Sequence, residues 1–292
     1  MLVRHSSSSS IEVPEHMRPL KEDLGDGPME TPAGQLDPNS PPENVRKELW
    51  QLYVATLRRV DQNAAHPPRR RVLHWILLNA NSKAELDMAL TLTEHWRRNM
   101  FPITQATTHI WAQACIRINY PEPFIAMLMD RWKYRQLPVV QTVVVFTRYL
   151  GAQAAAAYAQ STGAGDEMAA RGDQLLDDVF RMFGLLPYYG VPCGPAIYGA
   201  LVEACCAVNT EEAWRRALIA SEEALAVNPP NLTRDALQAL EARSRERGET
   251  EMADRYQSIG ARLEVKPAPA TSVEFDKKGN EVPQKPEDGH HR

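Results

Sequence analysis

The residues in this chain best suited to chemistry are arginines. Three basic clusters stand out: Arg69, Arg70 and Arg71; Arg97 and Arg98; and Arg131, Lys133 and Arg135. A guanidinium forks onto phosphate oxygens and stacks on flat rings, whereas an ammonium supplies a point charge. Clusters of this kind can follow a nucleic-acid backbone. Trp96, Trp132 and Tyr134 stand beside the second and third clusters and could stack on bases. Taken singly, Trp96 and Trp132 read more simply as core residues. The competing reading of the clusters is that arginine at the end of a helix complements the negative end of its dipole.

Other chemistries find less support. Asp177-Asp178 and Glu222-Glu223, with Asp166, Glu167, Asp173, Glu211 and Glu212, make the second half acidic. Neighbours on a helix point about 100° apart, so neither pair converges on one ion, and a solvated or protein-facing surface is expected. Gly163-Ala164-Gly165 is followed by Met168 where a dinucleotide fingerprint needs a third glycine. His109 and Cys115 lie six apart on one helix, on different faces, and cannot form a nucleophile–base pair within it. The chain has no CxxC, HExxH or GxSxG, and Cys205-Cys206 has no histidine at ligand spacing. His290-His291, near the chain end, could hold a metal only adventitiously. The expectation is a chain with no catalytic residues, no metal, no cofactor and no small-molecule substrate.

The elements that position the arginines follow from composition and period. The chain has 292 residues, 43% hydrophobic and 24% charged, close to a globular average. Large apolar side chains are scarce in residues 1–42 and from 264 onward, where Pro, Gly, Ser and charge dominate. These segments read as disordered tails, leaving 43–263 as the folded part. The formal net charge of −4 hides a dipole. Residues 43–150 carry 15 basic and 8 acidic groups, a net +7, and residues 151–263 carry 10 and 16, a net −6. No run reaches the 18 or so apolar residues of a membrane helix, so membrane insertion is not expected. Four cysteines in apolar surroundings read as buried free thiols.

Apolar residues recur at steps of three and four, so helices are expected throughout. They are placed at 44–60, 72–79, 82–98, 104–119, 121–137, 142–158, 167–183, 196–206, 211–227, 233–247 and 250–263. Ser82 with Glu85 three residues on reads as a capping box. Val139 to Phe146 has the composition of a strand but falls at a helix position. Pro102 and Pro138 lie 36 apart, and Pro192 and Pro229 lie 37 apart. A helix–turn–helix unit of that period stacks into a solenoid. The fold class is therefore all-α, a helix–turn–helix repeat solenoid of about five helix pairs.

Ile197 to Pro229, IYGALVEACCAVNTEEAWRRALIASEEALAVNP, resembles a pentatricopeptide repeat, and Thr107 to Pro138 is similar to a more diverged copy. Over residues 82–150, SKAELDMALTLTEHWR, THIWAQACIRI and RQLPVVQTVVVFTRYL are similar in order and spacing to the pentatricopeptide-like family of the mitochondrial ribosomal small subunit. That resemblance implies a non-enzymatic scaffold in the mitochondrial matrix, with ribosomal RNA and neighbouring ribosomal proteins as partners. Sequence-reading pentatricopeptide proteins present a small polar side chain just after the Tyr of the first helix. Here that place is Gly199, so recognition by shape and phosphate charge is expected rather than a base-by-base code.

Met1 to Ser10, with one Arg, five serines and no acid, fits the start of a transit peptide, while Glu12 and Glu15 follow at once. Two further classes of function stay open at this stage. One is an organellar RNA-processing or translation factor; the other is a protein-interaction solenoid for assembly of a mitochondrial complex.

Overall fold

The computed structural model describes residues 36–62, 68–161, 166–227 and 229–264. Among the described residues the chain is all-helical. In order it forms α1 (Lys47–Asp61), α2 (Arg70–Asn79), α3 (Lys83–Arg98), α4 (Gln105–Ile118), α5 (Glu122–Met129), α6 (Arg131–Tyr134), α7 (Val140–Gln160), α8 (Glu167–Tyr189), α9 (Pro195–Ala207), α10 (Glu211–Leu225), α11 (Arg234–Glu246) and α12 (Thr250–Glu264).

The helix starts are written locally. Ser82, Thr104, Thr210 and Thr233 each accept a hydrogen bond from the backbone N–H three residues on, which satisfies one of the donors a helix start leaves open. A reciprocal capping box forms at Thr104–Thr107. At Ser82 it does not, because Glu85 is drawn elsewhere. Its carboxylate accepts from Asn81 N at 2.7 Å and from Arg46 Nε at 2.8 Å. Burial works against the Glu85 charge, yet these donors hold the carboxyl below its ordinary pKa.

The helices pack in two rows. In one, α2 lies on α4, α4 on α7, α7 on α9 and α9 on α11. In the other, α1 lies on α3, α3 on α5 and α6, and α5 on α8. The pairs α2/α3, α4/α5–α6, α7/α8, α9/α10 and α11/α12 cross between rows, giving five helix pairs with α1 ahead of them. This is the arrangement of a helix-hairpin solenoid. Trp96, Trp111, Phe124, Phe146 and Tyr256 fill its centre.

A repeated polar contact shows the period directly. His74 Nε2 lies 2.9 Å from Thr107 Oγ1, and His109 Nδ1 lies 3.1 Å from Thr142 Oγ1. Each histidine is fifth in its helix and each threonine is third in the next helix of the same row. Histidine and threonine both recur after 35 residues. These contacts set α2, α4 and α7 side by side with their starts aligned.

Farther along, small residues set the spacing. A Cβ on Gly151 would stand 2.5 Å from Ala204 Cβ, and one on Gly199 would stand 2.3 Å from Thr233 Oγ1. Only glycine lets α7 meet α9, and α9 meet the start of α11, this closely.

Several local expectations change. The single helix expected over 121–137 is two, because Asp130 leaves the helical region and caps α6 by accepting from Lys133 N at 2.8 Å. α8 runs past Gly184 and Pro187 to Tyr189. A proline in the last turn removes one donor, and Gly190 in the left-handed region closes the helix instead. The valine-rich 139–146 stretch is helical, since Val143, Phe146, Leu150 and Ala154 form one buried stripe with a helical period.

The expected N-terminal tail falls, for residues 1–35, outside the described residues, as does the transit-peptide reading. Its last part lies along α1. Trp50 Nε1 donates to Asp37 O at 2.8 Å and Arg58 Nη2 to Leu36 O at 2.6 Å. The expected tail from 264 lies outside the described residues from 265 onward, and His290-His291 with it. Gly163-Ala164-Gly165 lies outside them too.

Among the described residues, no helix is long and apolar enough to cross a membrane. All four cysteines are free. Cys115 and Cys205 are buried and Cys193 and Cys206 half-buried, so the expectation of four buried thiols holds for two. Burial pushes the Cys115 and Cys206 thiols up to about 12, which keeps both protonated at neutral pH.

Candidate nucleic-acid interface

The two rows run in opposite directions, so the hairpins expose two ends. Asp61 Oδ1 lies 2.7 Å from His95 Nδ1, which joins the ends of α1 and α3. The aligned row of α2, α4 and α7 begins at this same end. Lys133 Nζ meets Glu94 Oε2 at 2.8 Å, which adds the end of α6. The fold therefore brings the starts of α2 and α4 together with the ends of α1, α3 and α6. All three arginine clusters lie at this one end of the first half.

Their commitments differ. Arg97 lies half-buried and has no carboxylate partner among the described residues. Its Nη1 is 3.7 Å from Met100 Sδ, and its buried Nε has no hydrogen-bond partner. Arg98 Nη2 and Lys133 Nζ share Glu94, at 3.0 and 2.8 Å. The Glu94 hydrogen bond raises the Lys133 pKa, and the three cations still outnumber the one acid. Arg135 is exposed and holds φ 46° at the end of α6.

Arg131 is the exception. Its Nη1 donates to Tyr188 O at 2.8 Å, and its guanidinium sits 5.0 and 5.4 Å from the centres of the Tyr188 and Tyr189 rings. It latches α6 to the end of α8 and drops out of the candidate interface.

Arg69, Arg70 and Arg71 are exposed and make no ion pair or side-chain hydrogen bond among the described residues. They sit at the start of α2, which has no acidic residue in its first turn and no side-chain cap. The backbone dipole is positive there, so three cations at that place are unfavourable. His74, one turn on, shows the strain: burial and the Arg70 charge both lower its pKa. The dipole reading accounts for Arg97 and Arg98, which close α3, but not for this triplet.

The aromatic residues separate. Trp96 is 1% exposed and belongs to the core, its ring edge-on to Phe101 at 5.3 Å. Tyr134 is buried as well, with Lys133 Nζ 5.4 Å from its ring centre, so it presents no free face for a base. Trp132 was expected in the core and is instead 89% exposed. The helix break at Asp130 turns it outward. Glu94, Arg97, Arg98, Met100, Trp132 and Lys133 line one shallow pocket of about 310 Å³. Sequence reasoning missed Glu94 and Met100. A helical Glu94–Arg98 spacing of four was the one available signal for Glu94, and nothing in the sequence marked Met100.

Many of the acidic residues of the second half have internal partners. Asp177 Oδ1 lies 2.7 Å from Arg216 Nη1, Asp178 pairs with Arg181, and Glu223 accepts from Tyr198 Oη at 2.7 Å. Asp178 is buried rather than solvated; burial raises its pKa and the Arg181 charge opposes that. Comparison of the chain with protein-family models, with curated proteins and with solved structures finds no match.

Proposed function

We propose that this protein is a non-enzymatic, RNA-associated scaffold: a pentatricopeptide-like subunit of the small subunit of the mitochondrial ribosome, acting in the matrix. Its basic end lies on ribosomal RNA, and its acidic half faces neighbouring ribosomal proteins or solvent. The observation that carries this reading is the Arg69–Arg71 triplet, without a partner among the described residues, at a dipole-positive helix start. Three cations held there at a cost in stability, with no anion beside them among the described residues, suit an anionic partner, and a phosphate at a helix start is one.

Arg97, Arg98, Lys133 and Arg135 at the same end extend the footprint to a strip. Gly199 supports recognition by charge and shape. It packs against Thr233, so the place that reads a base in sequence-specific relatives of this architecture is filled by protein. Replacing Arg97 and Arg98 together by Ala is expected to weaken RNA association and flatten its salt dependence.

The direct test is sedimentation of the endogenous protein from organelle lysate, with and without ribonuclease. Co-migration with small-subunit ribosomal RNA, lost on digestion, is the expected result. Migration as a small species, or in a large complex indifferent to ribonuclease, would overturn the assignment in favour of a protein-interaction scaffold.

A further inference from the structure

Trp132 is 89% exposed and Met100 is 72% exposed, and both line the pocket that also holds Arg97, Arg98 and Lys133. Folding gains nothing from leaving a tryptophan this open, since its burial would contribute more than that of any other side chain at this end. Met100 adds a second anomaly. It holds φ 62°, a conformation that glycine adopts freely and other residues adopt at a cost. The geometry around it is a Schellman closure of α3, with Phe101 N donating to Trp96 O at 3.0 Å and Met100 N to Arg97 O at 2.9 Å. Glycine is the usual residue at that place. Here a long, polarisable side chain stands there instead, against the local backbone preference, and it is held out beside the indole.

The third anomaly is Arg97, whose Nε is buried without an acceptor and whose charge has no carboxylate among the described residues. The pocket thus joins an open aromatic face, a thioether and three cations around one acid that two of those cations already share. This set matches a flat, electron-rich ring joined to a phosphate. Resting on the RNA reading above, we propose that Trp132 is a stacking platform for one unpaired nucleobase. Arg97 and Arg98 hold the adjoining phosphate, and Met100 closes the edge of the platform. A base inside a duplex is already stacked on both faces, so the platform selects single-stranded segments, bulges or loops.

The test uses the full chain and two probes: a labelled, unstructured oligouridine, and a blunt RNA duplex of equal length. Trp132→Leu is compared with Trp132→Phe, which keeps an aromatic face. Because the side chain is exposed, both variants are expected to melt as the unaltered protein does. Removing one stacked base is expected to weaken oligouridine binding roughly 5- to 100-fold in Trp132→Leu. Trp132→Phe should recover most of the loss, and duplex affinity should not move.

Equal oligouridine affinity for the unaltered protein and Trp132→Leu would overturn the platform, and intact duplex binding would leave the scaffold reading standing. Equal loss on both probes would overturn it too, since the indole would then act through the placement of the cations. Binding of neither RNA by the unaltered protein would overturn both readings and leave the pocket to a protein partner.

Discussion

The two halves of the solenoid are built on one helical plan but dispose of their charge in opposite ways. In the second half, arginine is matched to acid within the fold: Arg216 to Asp177 and Glu212, Arg243 to Glu246, Arg245 to Glu241, and Arg247 to Glu211 and Glu249. In the first half, Arg117 is spent on the carbonyls of Leu77 and Ala80, and Arg131 on Tyr188. Arg69, Arg70, Arg71 and Arg135 have no such partner among the described residues. A net charge of −4 would suggest a chain averse to nucleic acid. The pairing shows instead that most arginines of the negative half are engaged within the fold, although the half stays net negative, while several cations of the positive half have no acidic partner among the described residues.

This contrast can be broken at either half. The largest effect is expected from replacing Arg69, Arg70 and Arg71 together by Gln. Each phosphate contact to single-stranded RNA contributes about 0.7 to the salt slope. The triple variant should therefore lose about 2 units of slope and roughly a hundredfold in affinity near 0.1 M salt, read by fluorescence anisotropy. In the second half the sensitive element is packing rather than charge. Gly151→Ala sets a Cβ against the Ala204 backbone at 2.7 Å and should cost about 1–3 kcal/mol, read by urea unfolding.

Met100→Gly should do the reverse, stabilising the fold by about 1 kcal/mol as the left-handed strain is relieved, while weakening oligouridine binding. Arg148→Gln removes the 2.7 Å pair to Glu203. It should cost well under 1 kcal/mol, because the pair is half-exposed and screened. The smallest effect concerns acid. The His74 pKa is lowered in the folded state, so below about 6.5 the unfolded chain binds a proton that the folded chain resists. The stability contribution of His74 is present at neutral pH and declines as pH falls. His74→Gln should flatten that part of the melting-temperature profile between about pH 7 and 5.5.

Much of the fold was legible because it is local. Threonine and serine caps, prolines near helix starts and a three-to-four apolar step are properties of neighbouring residues, and the helices formed where those signals stood. The errors came where a tertiary contact or a competing local signal overruled the expected rule. Glu85 left its capping box for Arg46, and Pro187 was carried inside α8. Asp130 broke a helix that the apolar spacing of Phe124, Met127, Leu128 and Trp132 made continuous. That break also inverted the reading of Trp132, since its period places it with the core when the helix is unbroken and outside when it is not. The arginine clusters were legible as clusters, and their shared end followed from antiparallel hairpins. Which of them were free was not legible. Arg131 finds its tyrosines 57 residues away, a separation that no spacing rule reaches.

The most direct test of the central claim is the affinity of the full chain for a small-subunit ribosomal RNA fragment, measured across salt. If the seven cations at the basic end meet phosphates, log K should fall with log salt at a slope steeper than about −3, and the Arg69–Arg71 variant should be shallower by about 2. A slope near zero, or one that the triple variant leaves unchanged, would contradict an RNA-binding basic end.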